Sequence, residues 1–201
     1  PDKYNPKRGT EKAKELGTYS GKIEFVSRSL TEHFPDDEER PPMPRYIPSW
    51  EGHTSELAKK YPLQLISPHP RFSYHTQHDA HVPWLEEIPG HRILKDGYPW
   101  RTVRIHPADA SARGIKDKDI VNMYNDRGAV LGIAQVTERV RPGVIHSYES
   151  SAKYDPLEPG KAGSTDRGGC VNLLTPSRMM SKNVPGMANN SCLIEISKWE
   201  V

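Results

Sequence analysis

The sequence predicts a mainly β protein with short helices: a barrel or sandwich over residues 63–201, preceded by an extended proline-rich arm over residues 1–62. Three observations predict it. Short alternating apolar runs recur through the second part, separated by turn residues at the spacing of hairpin-connected strands. The chain carries 19 prolines and 15 glycines in 201 residues, which suits a loop-rich β chain better than a helical bundle. Apolar residues make up only 34%, so part of the chain has no core of its own.

The arm opens on a charged, polar stretch. Lys22–Val26 (KIEFV) alternates well enough for one short strand, and Ser27–Phe34 has the length of two helical turns. The following PDDEERPPMPRYIPSWEGH places five prolines in 19 residues. Each proline removes an N–H and locks φ, so neither a helix nor a central strand survives there. Tyr46 and Trp50 give this strap rings with which to dock. In the second part, LQLISP and Trp100–Pro107 read as strands, the latter with Val103 and Ile105 on one face. Ala108–Gly114 reads as a short helix with Asp109 near its start and Gly114 as its C-cap. Alternating runs flank NDRG, in which Asn125, Asp126 and Gly128 suit a hairpin turn. Gly143–Ser150 and Ser191–Glu200 complete the strands.

Composition excludes several function classes. Net charge is +2, from 28 basic and 26 acidic side chains, so no global field gathers nucleic acid and an anion has to be bound locally. No apolar stretch approaches ~18 residues, so no membrane span is expected. Cys170 and Cys192 have no C-x-x-C spacing, which argues against a disulfide framework and a cysteine-built zinc site. Reduced thiols suit a non-oxidising compartment, and a cytoplasmic location is the expectation. The chain begins without Met, as a fragment or processed chain would, so the missing signal segment leaves export open.

Polar residues cluster in three places. The first is LISPHPRFSYHTQHDAH, directly after a strand. His75, His78 and His81 fall at i, i+3 and i+6 and could share a face for zinc. Against this, no Cys or Glu completes the set, and Pro68, Pro70 and Pro83 prevent a regular helix. For His78 and His81 the plain reading is hydrogen bonding within a loop. His69, Arg71 and His75 sit at the strand's carboxyl end, where an arginine fork and ring donors match phosphate or pterin-type acceptors. The second cluster is GGCVNLLTPSR. Gly168 and Gly169 allow close approach to the backbone, and Asn172 offers a donor and an acceptor to a ring edge; a turn and a cap are the alternative. The third, MSKNVPGMANNSC, places Asn189 and Asn190 before the last strand, as ligand contacts or as turn residues.

In order, these segments resemble a known family. PLQLISPHPRFSYHTQHD, then RIHPADASARGIKDKDIVNMYNDRGAVLGIAQVTERVRPGVI, then GCVNLLTPSR and NNSCLIEIS are similar to the C-terminal dinucleotide-binding domain of molybdopterin oxidoreductases of the dimethyl sulfoxide reductase family. SGKIEF resembles the short strand just upstream of that domain. The resemblance implies a six-stranded double-psi β-barrel over 63–201. It implies a cofactor, bis(molybdopterin guanine dinucleotide) with molybdenum or tungsten, held in a parent subunit whose earlier domains supply the metal ligand. It implies cofactor contacts from Ser67, Pro68, His69, Arg71, Tyr74, His75 and Thr76, and from Asn172. Asn190 stands where many relatives have a lysine or another polar residue. The implied partners are the preceding domains of the catalytic subunit and an iron–sulfur electron-transfer subunit. SPHPR and the proline-rich strap resemble the transhydroxylase branch, which moves hydroxyl groups from pyrogallol to phloroglucinol. SPHPR also occurs in sulfoxide and N-oxide reductases, so it does not decide the branch; the transhydroxylase branch is the expectation and a sulfoxide or N-oxide reductase the alternative. A stand-alone barrel that binds protein without a cofactor is the alternative from another class.

Overall fold

Alternation of apolar and polar residues sets the strands, and their register closes them into a ring. The structure is a computed structural model that describes residues 16, 18–73, 82–149, 153–179 and 191–200. It divides into two units, one of residues 1–47 and 179–187, the other of residues 48–178 and 188–201.

In the first unit, α1 spans Arg28–His33. Ser27 caps it, its hydroxyl accepting from the Leu30 N–H at 3.2 Å. An Arg28–Glu32 pair one turn apart lies on its exposed surface. Lys22–Val26 does not form the expected strand, and Ile23 and Phe25 are 74% and 77% exposed. The reason is that a strand needs a neighbour to pair its backbone, and no strand occurs among the described residues of this unit. Local bonds take the polar groups instead: the Thr18 hydroxyl donates to the Lys22 carbonyl and Glu24 accepts from the Ser20 N–H. Tyr46 is 84% exposed.

In the second unit the strands are β1 (Leu63–Ile66), β2 (Arg92–Lys95), β3 (Tyr98–Ile105), β4 (Ile120–Asn125), β5 (Gly128–Val136), β6 (Val144–His146) and β7 (Ser191–Lys198). Short helices α2 (Pro83–Glu86) and α3 (Pro107–Ser111) and 3-10 turns at Glu56–Lys59 and Val171–Leu174 connect them. The ring runs β3-β5-β4-β7-β1-β6 and back to β3 through Arg104 opposite His146, while β2 lies outside it on β3. Pairs β1–β6 and β3–β5 are parallel and the rest are antiparallel. This is the closed six-stranded double-psi barrel, mainly β with short helices.

Leu63 and Leu65, Val103 and Ile105, Val121 and Met123, and Cys192, Ile194 and Ile196 point inward at period two and are buried. β5 is buried on both faces, because residues near Asp166 cover its outside: the Leu131 N–H donates to the Asp166 carbonyl at 2.7 Å, and the Asp166 N–H to the Ala129 carbonyl at 3.0 Å. Gly132 is required there, since a Cβ would lie 2.5 Å from Val103 Cγ2 and 2.9 Å from the Arg101 carbonyl.

Two elements begin elsewhere than the residue pattern suggests. α3 starts at Pro107, capped by His106, whose Nδ1 accepts from the Ala108 N–H at 3.1 Å. Asp109 instead accepts from the Gly143 N–H at 2.7 Å and ties the helix to the turn before β6. The β2–β3 hairpin turns on Asp96 and Gly97, with φ of 52° and 75°, a type I′ geometry that Asp-Gly favours.

Candidate functional site

The chain leaving β1 stays paired with the chain leaving β6. The Ser147 N–H donates to the Ile66 carbonyl at 3.2 Å and the Glu149 N–H to the Pro68 carbonyl at 3.0 Å. This holds Ser67 and Pro70 inward and leaves Pro68, His69 and Arg71 exposed. His69 pairs through Nδ1 with Glu149. The Arg71 guanidinium lies 5.3 Å from the Phe72 ring centroid. Tyr74, His75, Thr76 and Asn190 lie outside the described residues, as do His78, His81 and Asn189.

Beside this loop is a cavity of ≈ 560 Å³ that Arg71 and Phe72 line together with Arg104, Gln135, Arg139 and Tyr148. Arg104 is held from several sides. Its Nε donates to Gln135 Oε1 at 3.1 Å, its Nη1 donates to His146 Nδ1 at 2.9 Å, and its guanidinium lies 5.3 Å from the Tyr148 ring centroid. Arginine only donates, so Nδ1 of His146 is an acceptor and the imidazole is neutral. Burial lowers the His146 pKa, and the Arg104 charge lowers it further.

Asn172 occupies a different place. It sits on the 3-10 turn Val171–Leu174, anchored by buried Val171 and Leu174. Its carbonyl accepts from the Thr175 hydroxyl at 2.9 Å. Its exposed side chain makes no hydrogen bond among the described residues. The NDRG hairpin tip holds this turn: the Asn125 amide donates to the Leu174 carbonyl at 2.8 Å, and Arg127 Nε donates to the same oxygen at 2.7 Å. Arg127 also forks onto Glu51 at 2.7 and 2.8 Å. NDRG is therefore a structural tip. Leu173 packs at Gly128, where β5 starts. Gln135 is seven residues further along that strand, roughly 23 Å of chain at about 3.3 Å per residue. The structure thus brings Ser67, His69 and Arg71 into one loop and holds Asn172 near the other end of β5.

Gly168 and Gly169 are close to protein. A Cβ on Gly168 would overlap the Lys153 carbonyl, and one on Gly169, at φ +86°, would lie 2.4 Å from Arg101 Cβ. The buried Asp166 carboxylate fixes this bend, accepting from the N–H groups of Asp155, Gly168 and Cys170 at 2.7, 3.1 and 2.6 Å. Neither cysteine is placed to act. Burial pushes the Cys170 thiol up to about 11 and that of Cys192 up to about 12.

The described donors are a guanidinium, an imidazole and a free amide, and this set fits a ligand that combines oxyanions with a hydrogen-bonding ring. Comparison with known proteins bears on the domain as a whole. Residues 63–193 match the family model described as the molydopterin dinucleotide binding domain. The chain belongs to that family. The domain is 52% identical over 193 residues to the pyrogallol hydroxytransferase large subunit of Pelobacter acidigallici, covering 93% of the chain and 22% of that protein. It is 37% identical over 188 residues to trimethylamine-N-oxide reductase of Haemophilus influenzae, covering 92% and 21%. Over 200 residues it is 34% identical to dimethyl sulfoxide reductase DmsA of Escherichia coli, covering 97% and 22%. Among solved structures, acetylene hydratase from Pelobacter acetylenicus superposes with a TM-score of 0.60 at 19% identity, covering 92% of the chain and 24% of that protein. These relatives place the domain in the dimethyl sulfoxide reductase family, and it spans about a fifth of the length of the curated relatives it matches.

Arg104, Gln135, His146 and Tyr148 escaped the sequence reading of the domain. Arg104 and His146 lie within runs legible as strands, and the one signal available was a cation or ring at an outward position of a barrel strand. That signal gains meaning only once β3 and β6 are seen to pair.

Proposed function

We propose that the domain is the cofactor-binding end of a larger catalytic subunit that carries bis(molybdopterin guanine dinucleotide) with molybdenum or tungsten, and that this subunit moves hydroxyl groups between trihydroxybenzenes. Residues 63–201 are the domain proper and residues 1–62 an arm that runs over other parts of the subunit. The observation that carries the cofactor reading is the cationic, polar loop leaving β1 in a chain whose net charge is only +2. Several negative charges have to be met by a few aimed donors rather than by a general field. Ser67, His69, Arg71 and His75 would supply those donors along one side of the ligand, with Pro68, Tyr74 and Thr76 shaping the loop. Asn172 and Asn190 would meet a ring edge elsewhere; an extended dinucleotide is long enough for both. When bound, the group supplies a redox-active metal held by dithiolene sulfurs. The domain's own residues bind and orient that group and set the hydrogen bonding at its edge.

The hydroxyl-transfer branch is favoured by the 52% identity to the pyrogallol enzyme, against 37% and 34% to the two reductases. A cytoplasmic location and an iron–sulfur partner subunit accompany this reading. No helix among the described residues is long and apolar enough to cross a membrane. The test uses the complete polypeptide that carries this chain. Metal and phosphorus analysis should show molybdenum or tungsten with pterin dinucleotide, and the enzyme should turn over pyrogallol in preference to trimethylamine N-oxide. Arg71→Ala removes charge-assisted hydrogen bonding worth about 1.5–3 kcal/mol and should weaken cofactor retention tenfold or more. A folded preparation with neither pterin nor metal would leave the stand-alone binding module in its place, and preferential N-oxide turnover would sink the branch assignment.

A further inference from the structure

We propose that Glu51, in the strap ahead of the barrel, is a positioning residue: through Arg127 it sets the 3-10 turn that presents Asn172 to a ligand. The inference deepens the proposed function and rests on the reading of Asn172 as a cofactor contact. Trp50 and Glu51 belong to the barrel's own unit, residues 48–178 and 188–201. A tight bend fixes their backbone. The Ser49 hydroxyl donates to the Glu51 carbonyl at 3.1 Å, and the Ser55 N–H and hydroxyl both donate to the Gly52 carbonyl, at 2.9 and 2.8 Å. Further along the strap, the Tyr61 hydroxyl donates to Asp126 at the hairpin tip at 2.8 Å. Glu51 therefore stands on a braced segment, and its side chain is only 12% exposed.

Two steps lead from Glu51 to Asn172. Glu51 accepts from both Nη groups of Arg127, at 2.7 and 2.8 Å, and Nε of the same guanidinium donates to the Leu174 carbonyl at 2.7 Å. The Asn125 amide donates to that oxygen at 2.8 Å, so both of its lone pairs are taken. Leu174 ends the turn Val171–Leu174, and Asn172 lies two residues before it. A rigid planar fork held by two bonds on one side fixes the direction of its remaining donor, which a single bond to a flexible side chain would not do. Two neighbouring contacts reinforce this link. Glu51 Oε2 also accepts from the Leu193 N–H at 3.0 Å, which ties the carboxylate to β7. The Arg178 guanidinium lies 3.7 Å from the Trp50 ring centroid, which holds the chain after the turn to the same strap. The Asn172 side chain is exposed, so its place is set by the turn that carries it.

The test uses the complete polypeptide and follows hydrogen exchange by mass spectrometry together with retention of the dinucleotide. Glu51→Gln removes the charge that pairs with Arg127. Arg127→Lys keeps a cation there but cannot fork onto Glu51 and reach Leu174 at once, so it keeps the experiment readable if Glu51→Gln folds poorly. Losing a charge-assisted bond should quicken exchange over residues 171–175 about tenfold, ahead of exchange in β3, and weaken retention about as much. Neither variant should weaken retention further once Asn172→Ala is present, because a positioning residue acts only through the group it positions. Arg113→Gln breaks a comparable pair, with Glu195 at 2.6 Å, and should lower the unfolding midpoint without changing retention. Unchanged exchange over residues 171–175 overturns the proposal. So do fully additive losses of retention from Glu51→Gln and Asn172→Ala, or an equal loss from Arg113→Gln. Retention lost with Asn172→Ala but kept with Glu51→Gln and Arg127→Lys overturns this inference alone. Retention untouched by Asn172→Ala, or a complete polypeptide without dinucleotide, sinks the reading of Asn172 and this inference with it.

Discussion

Replacing Asp166 by Ala should remove a large share of the domain's stability while leaving the barrel topology intact. The carboxylate is fully buried and accepts three backbone N–H bonds: Asp155 at 2.7 Å, Gly168 at 3.1 Å and Cys170 at 2.6 Å. A hydrogen bond to a charged group contributes about 1.5–3 kcal/mol net, and a buried donor left unpaired costs a similar amount. Three such bonds share one acceptor, so their losses do not simply add. We expect Asp166→Ala to cost about 3–5 kcal/mol, from a total of about 5–15 kcal/mol usual for a domain. Asp166→Asn keeps one acceptor oxygen and turns an NH₂ toward a donor, so it should cost about half as much. The main-chain bonds of Asp166 to Ala129 and Leu131 do not involve the side chain, which is why the barrel should persist. Urea unfolding measures this: the midpoint should fall with the slope nearly unchanged. Hydrogen exchange at the Gly168 and Cys170 amides should quicken before exchange in β4 and β7. A loss under about 1 kcal/mol for Asp166→Ala would refute the claim that this carboxylate organises the bend leading to Asn172.

Gly132→Ala places a methyl 2.5 Å from Val103 Cγ2 and 2.9 Å from a backbone carbonyl; overpacking of this kind should cost about 1–3 kcal/mol, and a thermal melt that does not move would contradict the packing of β3 on β5. With their thiols pushed up to about 11 and about 12 by burial, Cys170 and Cys192 should resist a thiol reagent in the native protein at pH 8 and react on unfolding; prompt native-state labelling would disprove their burial. His146 has its pKa lowered from 6.5, so above that pH it is neutral in both states and contributes no pH dependence. As pH falls below 6.5 the unfolded chain takes up a proton that the folded chain refuses, and stability declines toward the folded pKa. His146→Gln should flatten that part of the stability–pH curve, and identical curves for the two proteins would show that Arg104 does not face a neutral imidazole.

Much of the barrel was legible in residue order, because the forces that make a strand or a turn act between near neighbours. Alternation in LQLI, in IVNMYN and in SCLIEISK gave strands, NDRG gave a hairpin tip and Ser27 a helix start. The Asp96–Gly97 turn was equally legible by its type yet escaped, since only two apolar residues precede it in the short strand β2. Lys22–Val26 shows the converse: its pattern is a strand's, but pairing requires a second segment, and none is present among the described residues of its unit. The candidate site divides in the same way. A loop rich in cations and rings after β1 could be read from composition. The meeting of Arg104 with His146 and Gln135 could not, because it depends on registers between residues 31 and 42 positions apart. Nor could the strand's length between Arg71's cavity and Asn172, or the fact that Gly168 and Gly169 are crowded by Lys153 and Arg101. By itself, then, the sequence determined most of the β elements, the hairpin tip at NDRG, the family resemblance and the cation-rich composition of the loop after β1. Closure of the ring, the cavity on its flank and the separation of the two polar clusters were decided only by tertiary structure, since backbone preference is set within a few residues whereas convergence of side chains is set by which strands pair and in what register.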